Sequence, residues 1–188
     1  MGNHEFYKYY DIAKLNDGFC LEIRPNVHSY YNTVVRIEDI DFIVTTLWSK
    51  IPLKEAYCTE QVISDFRRIF FNGELLTFAD FNREHDRCLT FLKEAVSCSK
   101  AKKKIVVTHH VPSFQMQCPK FADSQANGAF TVELEDYIKD SGIDFWIYGH
   151  SHYNVDVKIG NTMCISNQLG YVFHGEHESF DHCKNIEV

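Results

Sequence analysis

The sequence predicts an α/β layered sandwich built on a mixed sheet. Three observations carry this expectation. Strand and helix patterns alternate through the middle of the chain, hairpin patterns flank them, and no repeat, linker or low-complexity stretch interrupts the series. Short apolar runs in that order suit a sheet with both parallel and antiparallel neighbours. At 188 residues, the chain reads as one domain spanning 1–188.

The elements follow in order. Residues 32–37 are rich in β-branched side chains and read as a strand; 38–41 form a turn and 42–48 a second strand, together a hairpin. Thr77 is the N-cap of a long helix whose buried face carries Phe81, His85, Cys88, Leu89, Leu92, Ala95 and Val96 at helical spacing. The run Ile105, Val106, Val107 ends through Thr108, His109, His110 and Val111 at Pro112, as a buried strand feeding a loop does. From Ser113 to Phe130 no period is visible, and Pro119 and Gly128 punctuate a loop of the length that often carries function. Thr131 is expected to cap a helix through Lys139, with Gly142 closing it. Residues 143–148 form another buried strand, followed at once by Gly149, His150, Ser151 and His152. Residues 155–159 and 162–166 make a last hairpin around Gly160 and Asn161.

Composition narrows the function classes. Apolar residues are 45% of the chain, with 15 Phe and 10 Tyr, enough for a packed core and too many for a disordered chain. The net charge of -7 argues against sequence-blind nucleic-acid binding and against a membrane-surface protein. No run is long and apolar enough to span a bilayer, and no secretory signal pattern follows Met1, so the expected compartment is the cytoplasm. The seven cysteines are scattered with no Cys-x-x-Cys pair, which reads as free thiols and not as a thiolate zinc site.

Chemistry concentrates where two strands end in histidine. In extended backbone, residues i and i+2 point the same way, so His150 and His152 are expected to face one site, with Gly149 allowing close backbone approach. His109 and His110 are adjacent and should diverge, leaving one of the two facing that site. Imidazole suits zinc, iron, nickel or manganese. A single strand-end histidine is ordinarily satisfied by a carbonyl. Two such clusters point to a metal.

GNHE at 2–5, VVTHHVP at 106–112 and YGHSH at 148–152 stand in the order found in calcineurin-like metallophosphoesterases, and the chain resembles that family over most of its length. The resemblance implies an αββα layered sandwich with mixed sheets and a two-metal centre at the C-terminal edge of the strands. It implies that Asn3, His109 and His150 share one divalent ion and that His152 takes a second, the ions being manganese, iron, zinc or nickel. His4 resembles the catalytic histidine that contacts the phosphoryl group and protonates the leaving oxygen, and Glu5 a residue that orients the ligands. The implied reaction is metal-dependent phosphoester hydrolysis, by a phosphatase or phosphodiesterase, on a small molecule or a phosphoprotein. Two cations can clamp a phosphate and acidify a water, while an imidazole supplies the leaving-group proton.

The family's Asp-x-His and Gly-Asp motifs, the latter carrying the carboxylate that bridges both metals, do not occur ahead of GNHE. The expectation is therefore an N-terminally truncated domain with its first strands missing, on the order of 60 residues for two strand–helix units. Asn3, His109, His150 and His152 are all neutral donors. Two cations among them would repel without a carboxylate between, so this chain is expected to be impaired. A bare sheet edge would favour self-association. The competing class is a non-catalytic binding or scaffold protein on the same sandwich. The retained histidines favour the hydrolase, the absent aspartates the scaffold. His28, His85, His174, His177 and His182 share no spacing and read as structural or surface residues. Lys100 and Lys102 to Lys104 read as a solvated turn. Trp48, Ser49 and the 113–130 loop are candidates for the pocket wall as well as for ordinary packing, and Asn167 and Gln168 for turn caps.

Overall fold

A computed structural model describes residues 1–7 and 10–188. Ten strands are found among these residues: β1 (Phe19–Arg24), β2 (Val27–Tyr31), β3 (Thr33–Ile37), β4 (Ile40–Thr45), β5 (Phe70–Phe71), β6 (Glu74–Leu75), β7 (Lys103–Thr108), β8 (Phe145–Ile147), β9 (Val157–Ile159) and β10 (Thr162–Ile165). The α-helices are α1 (Leu53–Val62), α2 (Phe78–Cys98) and α3 (Glu135–Asp140), with short 3₁₀ turns between. Six strands make one mixed sheet in the order β3-β4-β7-β8-β10-β9. β4, β7, β8 and β10 run parallel, and β3 and β9 pair antiparallel at the two edges. β1–β2 and β5–β6 are separate two-stranded ribbons. No described helix is long and apolar enough to cross a membrane.

Register explains why the sheet accepts a helix. The pairings align Ile43, Val106, Trp146 and Cys164 across four strands. All four are buried, and they form one cluster with Leu92 and Val96 of α2 and Ile138 of α3. Helix α2 starts as its sequence indicates. Thr77 Oγ1 accepts the Asp80 N–H and Asp80 Oδ2 accepts the Thr77 N–H, each at 3.2 Å, which satisfies two helix-end donors reciprocally. Its buried face carries Phe81, His85, Cys88, Leu92 and Val96 as expected, with Leu89 and Ala95 only partly buried and Glu84 added. That carboxylate is tolerated because Tyr31 Oη donates to it at 2.5 Å and Arg87 lies 3.4 Å away.

Several local expectations are corrected. Thr131 does not cap a helix. It is held in a parallel bridge to Val111, with the Val132 N–H donating to the Val111 carbonyl at 3.0 Å, and α3 begins only at Glu135. The second strand of the hairpin stops at Thr45, because Leu47 and Trp48 adopt φ of 67° and 51° and turn the chain inward. Trp48 and Ser49 are fully buried, which removes them from any pocket wall. Helix α1 had no visible signal, since its buried residues are only Ala56 and Thr59 while Leu53 and Tyr57 are each 79% exposed. The 113–130 loop is a loop, tightened by three 3₁₀ turns.

This packing predicts that Leu92→Ala, at a site of 0% exposure, lowers stability by about 2–5 kcal/mol. Leu53→Ala, on the exposed face of α1, should stay within about 0.5 kcal/mol of the parent. Urea unfolding followed by tryptophan fluorescence and circular dichroism measures both.

Candidate active site

The N-terminal motif folds as a 3₁₀ turn, Asn3–Phe6, with Phe6 buried against Tyr31 and Trp48. Asn3 is only 3% exposed, and its Nδ2 donates to both oxygens of Asp65, at 2.9 and 3.1 Å. The amide is thereby oriented. Its oxygen faces His109, with Oδ1 2.8 Å from Nε2. Asp65 lies on the 3₁₀ turn Ser64–Arg67 just after α1, and also accepts from Tyr7 Oη at 2.5 Å. Burial raises its carboxyl pKa, while the bonds from Tyr7 and Asn3 and the nearby His4 pull the other way.

His109 follows β7. Its carbonyl accepts the Gly149 N–H at 3.0 Å, which ties the two histidine loops together. Glycine at position 2 gives the His109 ring its room: a Cβ there would stand 2.7 Å from the ring, which would have to shift. Gly149 is less constrained than the sequence implied, because a Cβ would meet the His109 carbonyl at an ordinary 3.6 Å. The choice within the adjacent pair is now visible. His109 lines the cavity described below. His110 is fully buried between Trp48 and Phe81, with Nδ1 3.3 Å from the Thr46 carbonyl and no partner for Nε2 among the described residues.

His150 and His152 are not extended. Both are left-handed, with φ of 70° and 51°, a backbone that costs on the order of 1–3 kcal/mol per residue. They still reach one cavity, for a different geometric reason from the expected strand alternation. The His150 ring stacks on Phe130 at 4.7 Å and lies 4.8 Å from the His109 ring, while its Nε2 is 3.3 Å from the Ala129 carbonyl. His152 Nδ1 is 2.8 Å from Glu176 Oε2.

The cavity has a volume of about 610 Å³, and Asn3, His4, His109, His150 and His152 all line it. Tyr7, Val62, Ile63, Phe121, Phe130 and Tyr171 give it an apolar wall, and Glu5, Asp65 and Glu176 bring carboxylates. Among the described residues, the tight group of three His, Cys, Asp or Glu donors is elsewhere: Asp181, His182 and Cys183, consecutive and exposed. Burial holds His150 down to a pKa of about 3, with charges on His152 and His4 assisting against the Ala129 carbonyl. His109 is also well below its usual range, through burial first and then His150, the N-terminal ammonium, His4 and His152. Both rings are therefore neutral near pH 7, the form whose lone pair a metal needs.

Sequence reasoning missed Asp65 and Glu176. No motif marks either. Asp65 is 62 residues from Asn3 and Glu176 is 24 from His152. Gln168 was read as a turn cap, but its Oε1 accepts the His152 N–H at 2.7 Å. Glu5 stays local, accepting the Gly2 N–H at 2.5 Å.

The buried imidazoles predict an acid-labile fold. His150 titrates near 3 when folded and near 6.5 when unfolded, and His85, His109 and His110 shift the same way. Between those values the unfolded chain binds protons that the folded chain refuses, so stability is full above about pH 6.5 and falls toward pH 3. Asp65, shifted upward, opposes this, while the Met1 amino group, Asp41 and Glu176, all shifted downward, act with the histidines. Urea midpoints of the metal-free chain should drop steadily from pH 7 to 4, and a flat profile would contradict the burial described.

Three comparisons place this geometry among known proteins. The calcineurin-like phosphoesterase family matches residues 1–154. An uncharacterized protein of Acanthamoeba polyphaga mimivirus is 30% identical over 188 residues, covering 90% of this chain and 66% of its own length. The chain thus spans just under two thirds of that curated relative. The crystal structure of phosphopantetheinyl hydrolase from Mycobacterium tuberculosis is similar in fold, with a TM-score of 0.53 at 13% identity over 73% of this chain and 53% of that one. With the match covering most of its length, the chain belongs to the calcineurin-like phosphoesterase family.

Proposed function

We propose that the cavity is a metal-dependent phosphoester hydrolase site in which Asn3, His109 and His150 hold one divalent ion and His152 a second. The observation that carries this reading is the 2.8 Å approach of Asn3 Oδ1 and His109 Nε2. These are an amide oxygen and an imidazole nitrogen brought together across 106 residues of sequence, on two residues that both line one cavity. The donor set fits manganese, iron, zinc or nickel. Such ions, when bound, offset phosphate charge and acidify a water.

The chain's own residues divide the remaining work. Asp65 holds the Asn3 amide so that oxygen and not nitrogen faces His109. Burial keeps His109 and His150 unprotonated. His4 is exposed at the cavity, its ring 4.6 Å from Tyr7, which supports its role in giving a proton to the leaving oxygen. The volume of about 610 Å³ suits a small molecule, and Val62, Ile63, Phe121 and Phe130 suit an apolar group beside its phosphoester. The ligands themselves are neutral, so this chain by itself should hold cations weakly and turn over slowly.

Calorimetric titration with Mn²⁺ and assays on an aryl phosphate and an aryl phosphodiester test the reading. His109→Ala should abolish measurable metal binding. His4→Ala should keep the metal and lose about 10²–10⁴-fold of the parent turnover, since its part is proton transfer. Parent-like metal binding in His109→Ala would refute the site. Unchanged turnover in His4→Ala would remove that residue from the chemistry.

A further inference from the structure

The wall that holds His152 is built by residues beyond the family match, which ends at 154. Gln168 Oε1 accepts the His152 N–H at 2.7 Å, and Gln168 Nε2 donates to the Tyr153 carbonyl at 3.0 Å, clamping the loop that carries the histidine. The Tyr171 ring stands edge-on to the imidazole, with centroids 4.8 Å apart at 84°. Glu176 completes the enclosure. Its Oε2 lies 2.8 Å from His152 Nδ1 and also accepts the Tyr171 N–H at 2.6 Å.

An incidental surface ion pair would need neither a backbone donor on the same oxygen nor cleared space beside it. Here both are present. Gly170 adopts φ +62°, and a Cβ on it would lie 2.6 Å from Glu176 Cβ, 2.9 Å from Oε2 and 3.2 Å from His152 Cβ. Glycine at 170 therefore lets carboxylate and imidazole meet. A neutral imidazole carries one N–H, and an ionised carboxylate can only accept. The proton between them must then sit on Nδ1.

We propose that Glu176 is a positioning residue for His152: it accepts the Nδ1–H, fixes that tautomer and the ring's orientation, and leaves the Nε2 lone pair as the donor available to a cation in the cavity. The cation half of this statement rests on the hydrolase reading above; the tautomer half does not. Carboxylates that accept the second N–H of a metal-binding histidine fix its orientation and raise its basicity, and their loss typically weakens metal binding about 10–100-fold.

The test uses the metal-free protein with ¹⁵N-labelled histidine. His152 is assigned by its loss in His152→Gln, and its two ring nitrogens are followed by long-range ¹H–¹⁵N correlation before and during titration with Zn²⁺. The parent should show an Nδ1–H imidazole whose Nε2 shifts on Zn²⁺ binding. E176Q, close in shape, replaces an acceptor-only group with an amide that can donate. It should lose the Nδ1–H preference and need about 10–100-fold more Zn²⁺ for the same shift. G170A, which displaces the carboxylate without deleting it, should move both readouts the same way. Circular dichroism and urea midpoints of E176Q matching the parent confirm that the fold is intact. An Nε2–H tautomer in the parent, coordination through Nδ1, or an unchanged titration in E176Q would overturn the proposal. If Zn²⁺ leaves His152 unshifted while the tautomer still follows Glu176, the metal reading of the cavity falls and control of His152 by Glu176 stands.

Discussion

Asn3 Oδ1 and His109 Nε2 lie 2.8 Å apart across 106 residues of sequence, and the site depends on that approach. Each side needs its own support. On one side, Phe6 is sunk into the aromatic core and Thr46 Oγ1 donates to the Met1 carbonyl at 2.9 Å, which pins the N-terminal turn over the ends of the parallel strands. Asp65 then decides which end of the Asn3 amide looks inward. On the other side, β7 delivers His109 to the strand ends, and glycine at position 2 gives the ring its room. Loss of any of these supports would leave Asn3 and His109 in the chain but separate them.

Charge is distributed with the same logic. The central imidazoles of His109 and His150 are kept neutral by burial, while the carboxylates of Asp65 and Glu176 stand one bond further out, each accepting from a residue at the centre. Such an outer layer orients ligands and lends negative potential without itself closing on a cation. It does not replace a carboxylate shared between two ions, whose mutual repulsion at short distance is large. The weak metal binding proposed for this chain rests on that difference.

Much of the fold was legible because its signals are local. Thr77 and Asp80 close a capping box, the apolar spacing from Phe81 to Val96 defines one helix face, and Gly160 with Asn161 turns a hairpin. The β-branched runs at 33–37, 42–45 and 105–107 form strands as read, but the expected turn at 38–41 gives up Ile40 and Asp41 to β4, and Lys103 and Lys104, read as part of a solvated turn, begin β7. The three histidine-containing motifs were legible by order, and the five residues drawn from them do share a cavity. What sequence could not supply was long-range or conformational. Helix α1 shows little apolar periodicity, so it left no trace. His150 and His152 reach the cavity through left-handed backbone and not through strand alternation, a choice made by packing against Phe130 and Tyr171. Asp65 and Glu176 act only through contacts formed in the folded chain, and nothing around them in the sequence announces a partner.

The central claim is that one cation is gripped between the N-terminal turn and the end of β7. Anomalous diffraction at the zinc edge, from crystals of this chain grown with Zn²⁺, tests it most directly. The account predicts a peak bonded to His109 Nε2 at about 2.0–2.1 Å, the usual zinc–imidazole distance, with Asn3 Oδ1 in the same coordination sphere. A peak confined to Asp181, His182 and Cys183, or an Asn3–His109 contact left unchanged with no ion beside it at saturating zinc, would contradict it.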